Sequence, residues 1–106
     1  MAWFYLGIAG LLEIVWAFAM KQSEGFTRPG PTVFTVAAMI ASFLLLAQAM
    51  RTLPLGTAYA IWTGIGAVGA FIAGIILLGE QANATRIAAA LLIVGGMVLM
   101  KAGAPA

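Results

Sequence analysis

The chain has 106 residues, 64% of them hydrophobic, with only three acidic and five basic side chains. About a quarter of the residues of a soluble domain are charged, so eight charges cannot wet the surface of an 11.0 kDa globule, and an integral membrane protein is expected. With neither His nor Cys there is no disulfide, thiol nucleophile, imidazole base or Cys/His metal site; no enzyme activity, metal or cofactor is expected, and a scattered net charge of +2 without a basic stripe excludes a nucleic-acid partner.

Charges fall at Glu13, Lys21, Glu24, Arg28, Arg51, Glu80, Arg86 and Lys101. Glu13 apart, they divide the chain into four apolar stretches, at about 2–20, 32–50, 57–78 and 84–101. A helix of about 20 residues crosses the roughly 30 Å hydrocarbon layer. The reading is therefore an all-α membrane protein, one four-helix transmembrane domain over 1–106. The first stretch reads as a span rather than a cleaved signal: it lacks a basic start, holds an acid at its centre and runs into Lys21. Trp3 and Tyr5 sit where an interfacial aromatic belt lies. On the face of Glu13, helical spacing places the small residues Gly10 and Ala17, expected to leave room beside the carboxyl, and Trp16 one turn on.

Gly25, Pro29, Gly30 and Pro31 are expected to break the chain before the second span, and Pro54 with Gly56 before the third. The second span offers Ser42 near its centre and Gln48 towards its end. In the third, Tyr59, Trp62, Thr63 and Gly66 form a stripe at i, i+3, i+4 and i+7. Gly64, Gly66, Gly69 and Gly74 allow either close helix packing or a hinge. The fourth span has Asn83 or Thr85 as its N-cap. Only fourteen residues separate Arg86 from Lys101, so both side chains must snorkel to the headgroups. Gly95 and Gly96, seven residues after Ala88 and Ala89, give this helix a smooth seam suited to dimerisation.

Four spans put the termini and the second connection on one side of the membrane with Arg51 and Lys101. Lys21, Arg28 and Arg86 lie on the other. A Lys/Arg excess on one side orients a membrane protein, and two against three is no excess. The near-balance fits a fixed topology set by a weak bias or an external insertion factor, or dual topology in which copies insert both ways up and pair antiparallel.

Glu13 lies where an ionised side chain costs about 2.5–3.5 kcal/mol on insertion scales. No cationic residue lies within the spans to pair with it. Such an acid is either a protonated group hydrogen-bonded in a helix interface or part of an ion or proton pathway. With aromatic faces and hydroxyls nearby, it suits a small organic cation through charge pairing and cation–π attraction. Four short helices hardly enclose a cavity sealed at both ends, whereas two copies bring two Glu13 side chains together. Antiparallel copies supply the inverted repeat common in transporters.

Three segments carry a resemblance: Leu12-Glu13-Ile14-Val15-Trp16-Ala17, Lys21-Gln22-Ser23-Glu24-Gly25-Phe26-Thr27-Arg28, and Leu53-Pro54-Leu55-Gly56-Thr57-Ala58-Tyr59-Ala60-Ile61-Trp62-Thr63-Gly64-Ile65-Gly66. Together they resemble the small multidrug resistance family over essentially the whole chain. Trp16 and Trp62-Thr63-Gly64-Ile65-Gly66 are similar to its guanidinium-exporter branch. The resemblance implies a multi-pass protein of a bacterial-type inner membrane, working as an antiparallel, dual-topology homodimer that exchanges protons for guanidinium or small guanidinyl cations. It implies that Glu13 is the shared substrate and proton site, with Trp16, Ser42, Tyr59 and Trp62 around the pocket, to which helical spacing adds Gly10. In the expected mechanism Ser42 and the indole N–H groups orient the carboxyl and Tyr59 helps close the portal. The alternatives are a broader drug or quaternary ammonium exporter of the same family, and a small dual-topology ion channel.

Overall fold

In lipid, a backbone can satisfy its own N–H and C=O groups only within a helix or a closed barrel. Four apolar runs of about twenty residues therefore become four helices. The computed structural model describes residues 1–103, with α1 (Ala2–Gln22), α2 (Pro29–Ala49), α3 (Leu55–Leu78) and α4 (Ala84–Ala102) in chain order. All four are long and apolar enough to cross a membrane.

The helix starts differ from the sequence expectation, for a stereochemical reason. Pro29, Gly30 and Pro31 do not precede α2 but form its first turn. The first N–H groups of a helix have no intrahelical acceptor, so proline loses nothing there and its fixed φ suits the helix. Gly56 likewise lies inside the first turn of α3, and Pro54 occupies the N-cap. The break between α1 and α2 falls at the expected Gly25 and at its neighbours Glu24 and Phe26, all left-handed, with φ of 75°, 50° and 68° respectively. A left-handed non-glycine residue costs roughly 1–2 kcal/mol. Fully buried Ser23 offsets that cost. Its hydroxyl donates to the Met20 carbonyl (2.6 Å) and accepts from the Phe26 N–H (3.0 Å). Its carbonyl accepts from the N–H groups of Thr27 and Arg28. Of the two candidate caps of α4, Asn83 is the one used, its side chain accepting from the Arg86 N–H at 2.9 Å; Thr85 lies within the first turn.

The slab measures 43 × 34 × 16 Å. α1 packs on both α2 and α3, whereas the backbone of α4 comes close to α3 alone. The core gathers at one end, where Leu6 and Ala9 of α1 meet Leu46 and Ala49 of α2 and Ala58, Ile61 and Trp62 of α3. Beyond Glu13, Ala19 of α1 and Thr35 and Ala38 of α2 are also buried. A cleft of about 510 Å³ opens there, lined by Ile14, Phe18, Pro31, Phe34, Ala73 and Leu77 among others.

α4 buries no residue. It is held where Met97 and Ile93 lie over Gly64, and a Cβ at Gly64 would collide with the Met97 side chain. Its ends are fixed by the two side chains expected to snorkel. The Arg86 guanidinium lies 5.0 Å from the Phe71 ring centre and the Lys101 ammonium 5.1 Å from that of Trp3. Gly95 and Gly96 face open space. Gly64→Val is therefore expected to loosen α4 while leaving the α1–α2–α3 core folded. Hydrogen exchange should quicken in α4 and stay slow at Leu6, Leu46 and Ile61; unchanged α4 protection would refute this seating.

Candidate functional site

Glu13 sits at the middle of α1, and the missing side chain of Gly66 on α3 gives it a seat. A Cβ at Gly66 would overlap the Glu13 carboxyl. One turn further, Ile14 occupies the space above Gly69 in the same way. Gly66 thus belongs to the site as well as to the packing, which glycine spacing alone left undecided. Gly10 has a different role from the expected one. The space in front of it is taken by Ile65, so Gly10 lets α1 and α3 approach and leaves no void beside the carboxyl.

Two buried polar atoms have no hydrogen-bond partner among the described residues: Glu13 Oε1 and Trp16 Nε1. Both lie on α1, one turn apart. An unpaired buried polar atom costs about 1–3 kcal/mol, so two of them on one helix face mark a place where a donor and an acceptor are wanted. A cation with N–H groups supplies a donor to the carboxyl; a second acceptor would serve the indole.

Ser42 and Trp62 are brought next to each other but spend their hydrogen bonds away from Glu13. The fully buried Ser42 hydroxyl donates to the Ala9 carbonyl on α1 at 2.7 Å and accepts from the Trp62 indole N–H at 3.0 Å. One hydroxyl thereby ties α2 to α1 and α3. Within the single chain, the expected orientation of the carboxyl by Ser42 and the Trp62 indole is replaced by this joint. Tyr59 is half-exposed, its ring 5.5 Å from that of Trp62, and Thr63 bonds back to the Tyr59 and Ala60 carbonyls.

Sequence reasoning missed Phe43. Its ring lies 6.3 Å from Trp16 and 5.6 Å from Trp62, edge to face in both cases. Trp16, Phe43, Trp62 and Tyr59 consequently form one aromatic row across α1, α2 and α3. The only signal in the chain was its position beside Ser42, and one aromatic among six Phe residues does not stand out by spacing. Groups of three or more residues able to hold a metal are absent among the described residues.

The family model for the Small Multidrug Resistance protein matches residues 1–93. The guanidinium exporters of Escherichia coli (strain K12) and Shigella flexneri are each 60% identical to this chain over 101 residues, covering 95% of it and 96% of their own length. The guanidinium exporter of Citrobacter freundii is 58% identical over the same span. Together with four apolar spans, these similarities make the chain a multi-pass protein of the inner membrane.

The Ser42 joint has a measurable weight. Ser42→Ala leaves the buried Trp62 N–H without its acceptor and the Ala9 carbonyl without its side-chain donor. The expected loss is about 1–2 kcal/mol, read as a lower thermal midpoint in detergent together with a shifted Trp emission; an unchanged midpoint would contradict the joint.

Proposed function

The chain belongs to the small multidrug resistance family, and from that premise we propose that it is a proton-coupled antiporter exporting guanidinium and small guanidinyl cations. The observation that carries this reading is the carboxyl of Glu13, seated on Gly66 in mid-membrane with Oε1 buried and unpartnered. Fixed cations lie only at the ends of the helices and in the connections. The carboxyl must therefore be neutralised by something mobile, a proton or a cationic substrate.

Guanidinium suits the site in shape and in donors. It is planar, and its N–H groups form a fork that pairs bidentately with a carboxylate. The aromatic row of Trp16, Phe43, Trp62 and Tyr59 offers π faces to a flat cation. A quaternary ammonium has no N–H to give to Glu13 and needs more room than Trp16 leaves, so the broader drug-exporter reading is less well served. The high identity to guanidinium exporters supports the same choice.

The working unit in this proposal is an antiparallel homodimer of dual topology. A slab 16 Å thick cannot surround a substrate, and α4 keeps an open face with Gly95 and Gly96 on it. Two opposed copies bring two Glu13 carboxyls to one cavity. Each copy has its hydrophobic core at the Leu6–Leu46–Ile61 end and a cleft beyond Glu13. A pair of such wedges set head to tail can close one mouth while opening the other. The two carboxyls hold either protons or one cation. Protons arriving from outside release the cation outward, and proton loss on the inside readies the pair for the next cation. An ion channel of the same size would have no use for that competition.

Glu13→Gln is expected to abolish both pH-dependent substrate binding and coupled transport in proteoliposomes. Proton-coupled guanidinium flux in that variant would defeat the mechanism. Trp16→Gly is expected to reduce discrimination between guanidinium and a bulky quaternary ammonium on the order of tenfold, read as the ratio of their kcat/KM values. An unchanged ratio would remove Trp16 from the pocket.

A further inference from the structure

A second carboxylate stands in register with the first. On α1, Glu13, Ala17 and Lys21 follow one another at i, i+4 and i+8; on α3, Gly66, Ala70 and Gly74 do the same. One end of this pair of stripes is the Glu13 carboxyl over Gly66. The other end repeats the arrangement: the Glu80 carboxyl lies over Gly74, where a Cβ would overlap it. Beside the Glu80 seat is a cleft of about 180 Å³, lined by Ala17, Lys21, Ala70, Ala73, Gly74 and Glu80 among others; Ala17 and Ala70 each stand one turn from the Glu13 seat. Four heavy atoms of a guanidinium fit readily in such a space, since a water molecule takes up about 30 Å³ in the liquid. Eight residues of helix rise, about 12 Å, separate the two carboxyl seats.

Glu80 is placed by backbone rather than by side-chain bonds. Gly79 ends α3 in a left-handed conformation with φ of 69°, and the Glu80 N–H donates to the Gly74 carbonyl at 3.0 Å. This fold-back returns the side chain onto the last turns of α3, whose carbonyl end favours a cation. The Lys21 ammonium is 4.0 Å away, with its side chain two-thirds exposed. The other two basic side chains on this side of the membrane are engaged elsewhere. Arg86 donates to the Gln81 carbonyl at 2.7 Å and lies on Phe71, while Arg28 donates to the Gln22 carbonyl at 3.3 Å.

We propose that Glu80 is a peripheral cation-binding site at the mouth of this cleft, where a guanidinium-type cation takes the place of the Lys21 ammonium before or after visiting Glu13. That the cation is a guanidinium rests on the transport reading above. The site itself rests on the seat, the cleft and the single loosely held partner. An exposed ion pair at this distance is worth little, so Lys21 yields readily. A guanidinium forms two parallel bonds to a carboxylate where an ammonium makes a point contact. The Lys21–Glu80 pair is then an occupied resting state of the site, and substrate replaces it.

The chain has three glutamates, Glu13, Glu24 and Glu80, which makes a direct test practicable. Full-length protein labelled with 13C at the glutamate side-chain carboxyl gives two signals in a Glu13→Gln background, those of Glu24 and Glu80. Titration with guanidinium chloride, against sodium chloride at equal ionic strength, is expected to shift Glu80 saturably and Glu24 only slightly. Exposed Glu24, on the same side of the membrane, is the internal reference. Lys21→Met is expected to tighten the Glu80 titration about two- to fivefold by removing the resident competitor, and Glu80→Gln assigns the signal. Equal shifts at Glu80 and Glu24, equal responses to guanidinium and sodium, or a weaker titration in Lys21→Met would each overturn the proposal. The background already lacks Glu13, so failure here is distinct from failure of the transport mechanism, which the Glu13→Gln flux measurement decides.

Discussion

A carboxyl group in the middle of a membrane helix needs a place where lipid does not touch it, and Gly66 supplies that place. With no Cβ on α3, the Glu13 side chain lies directly on the neighbouring backbone, and α1 and α3 must run close enough together to keep it there. The same closeness is repeated above and below by Ile65 against Gly10 and by Ile14 against Gly69. The α1–α3 interface is thus three interlocked contacts, in which side chains from both helices fill notches on the other. Van der Waals fit of this kind drives helix association where lipid and Leu are equally apolar.

The remaining elements are arranged around that interface. α2 packs on α1 through Leu46 and Ala49, and the Ser42 hydroxyl ties it to α1 and α3 by bonding the Ala9 carbonyl and the Trp62 indole. This leaves Glu13 between the hydrophobic core at one end of the bundle and the clefts at the other. On one side lie Leu6, Leu46, Ile61 and Trp62; on the other lie the cleft bounded by Phe18 and Phe34 and a smaller cleft beside Lys21 and Glu80. α4 stands apart, fixed by Met97 in the notch at Gly64 and by a cation on an aromatic ring at each end. Its 19 residues rise about 28 Å, so the two snorkelling cations complete a span that is just long enough.

The basic and acidic side chains outside the spans are distributed unevenly in kind, though nearly evenly in Lys/Arg number. Glu24 and Glu80 both lie with Lys21, Arg28 and Arg86, while Arg51 and Lys101 share the opposite side with no acidic side chain. In an antiparallel pair, each membrane face would then present one copy of either kind. A cation approaching from either face would meet the same Lys21–Glu80 mouth. Such symmetry suits a carrier whose two conformations are equivalent by exchange of subunits.

The membrane location, the number of spans and the one carboxyl group in the middle of a span, on which the proposed chemistry rests, were legible in the sequence alone. These depend on composition and on the position of a rare charged residue, both of which are independent of how the helices pack. The helix starts were less legible, since proline and glycine serve equally to end one helix and to open the next; only the chain path showed that Pro29 and Pro31 open α2 and that Gly56 lies within α3. The fate of each glycine was not legible at all. Gly10, Gly64, Gly66 and Gly74 are the same residue in sequence. In three dimensions they receive Ile65, Met97, the Glu13 carboxyl and the Glu80 carboxyl respectively. A glycine records only that something comes close, and which group comes close is decided by the rotation and offset of the neighbouring helix. The same holds for Ser42, whose hydroxyl can serve a carboxyl, a carbonyl or an indole with equal chemistry. The tertiary structure gave it to Ala9 and Trp62 because those are the groups that the α1–α3 contact brings within reach.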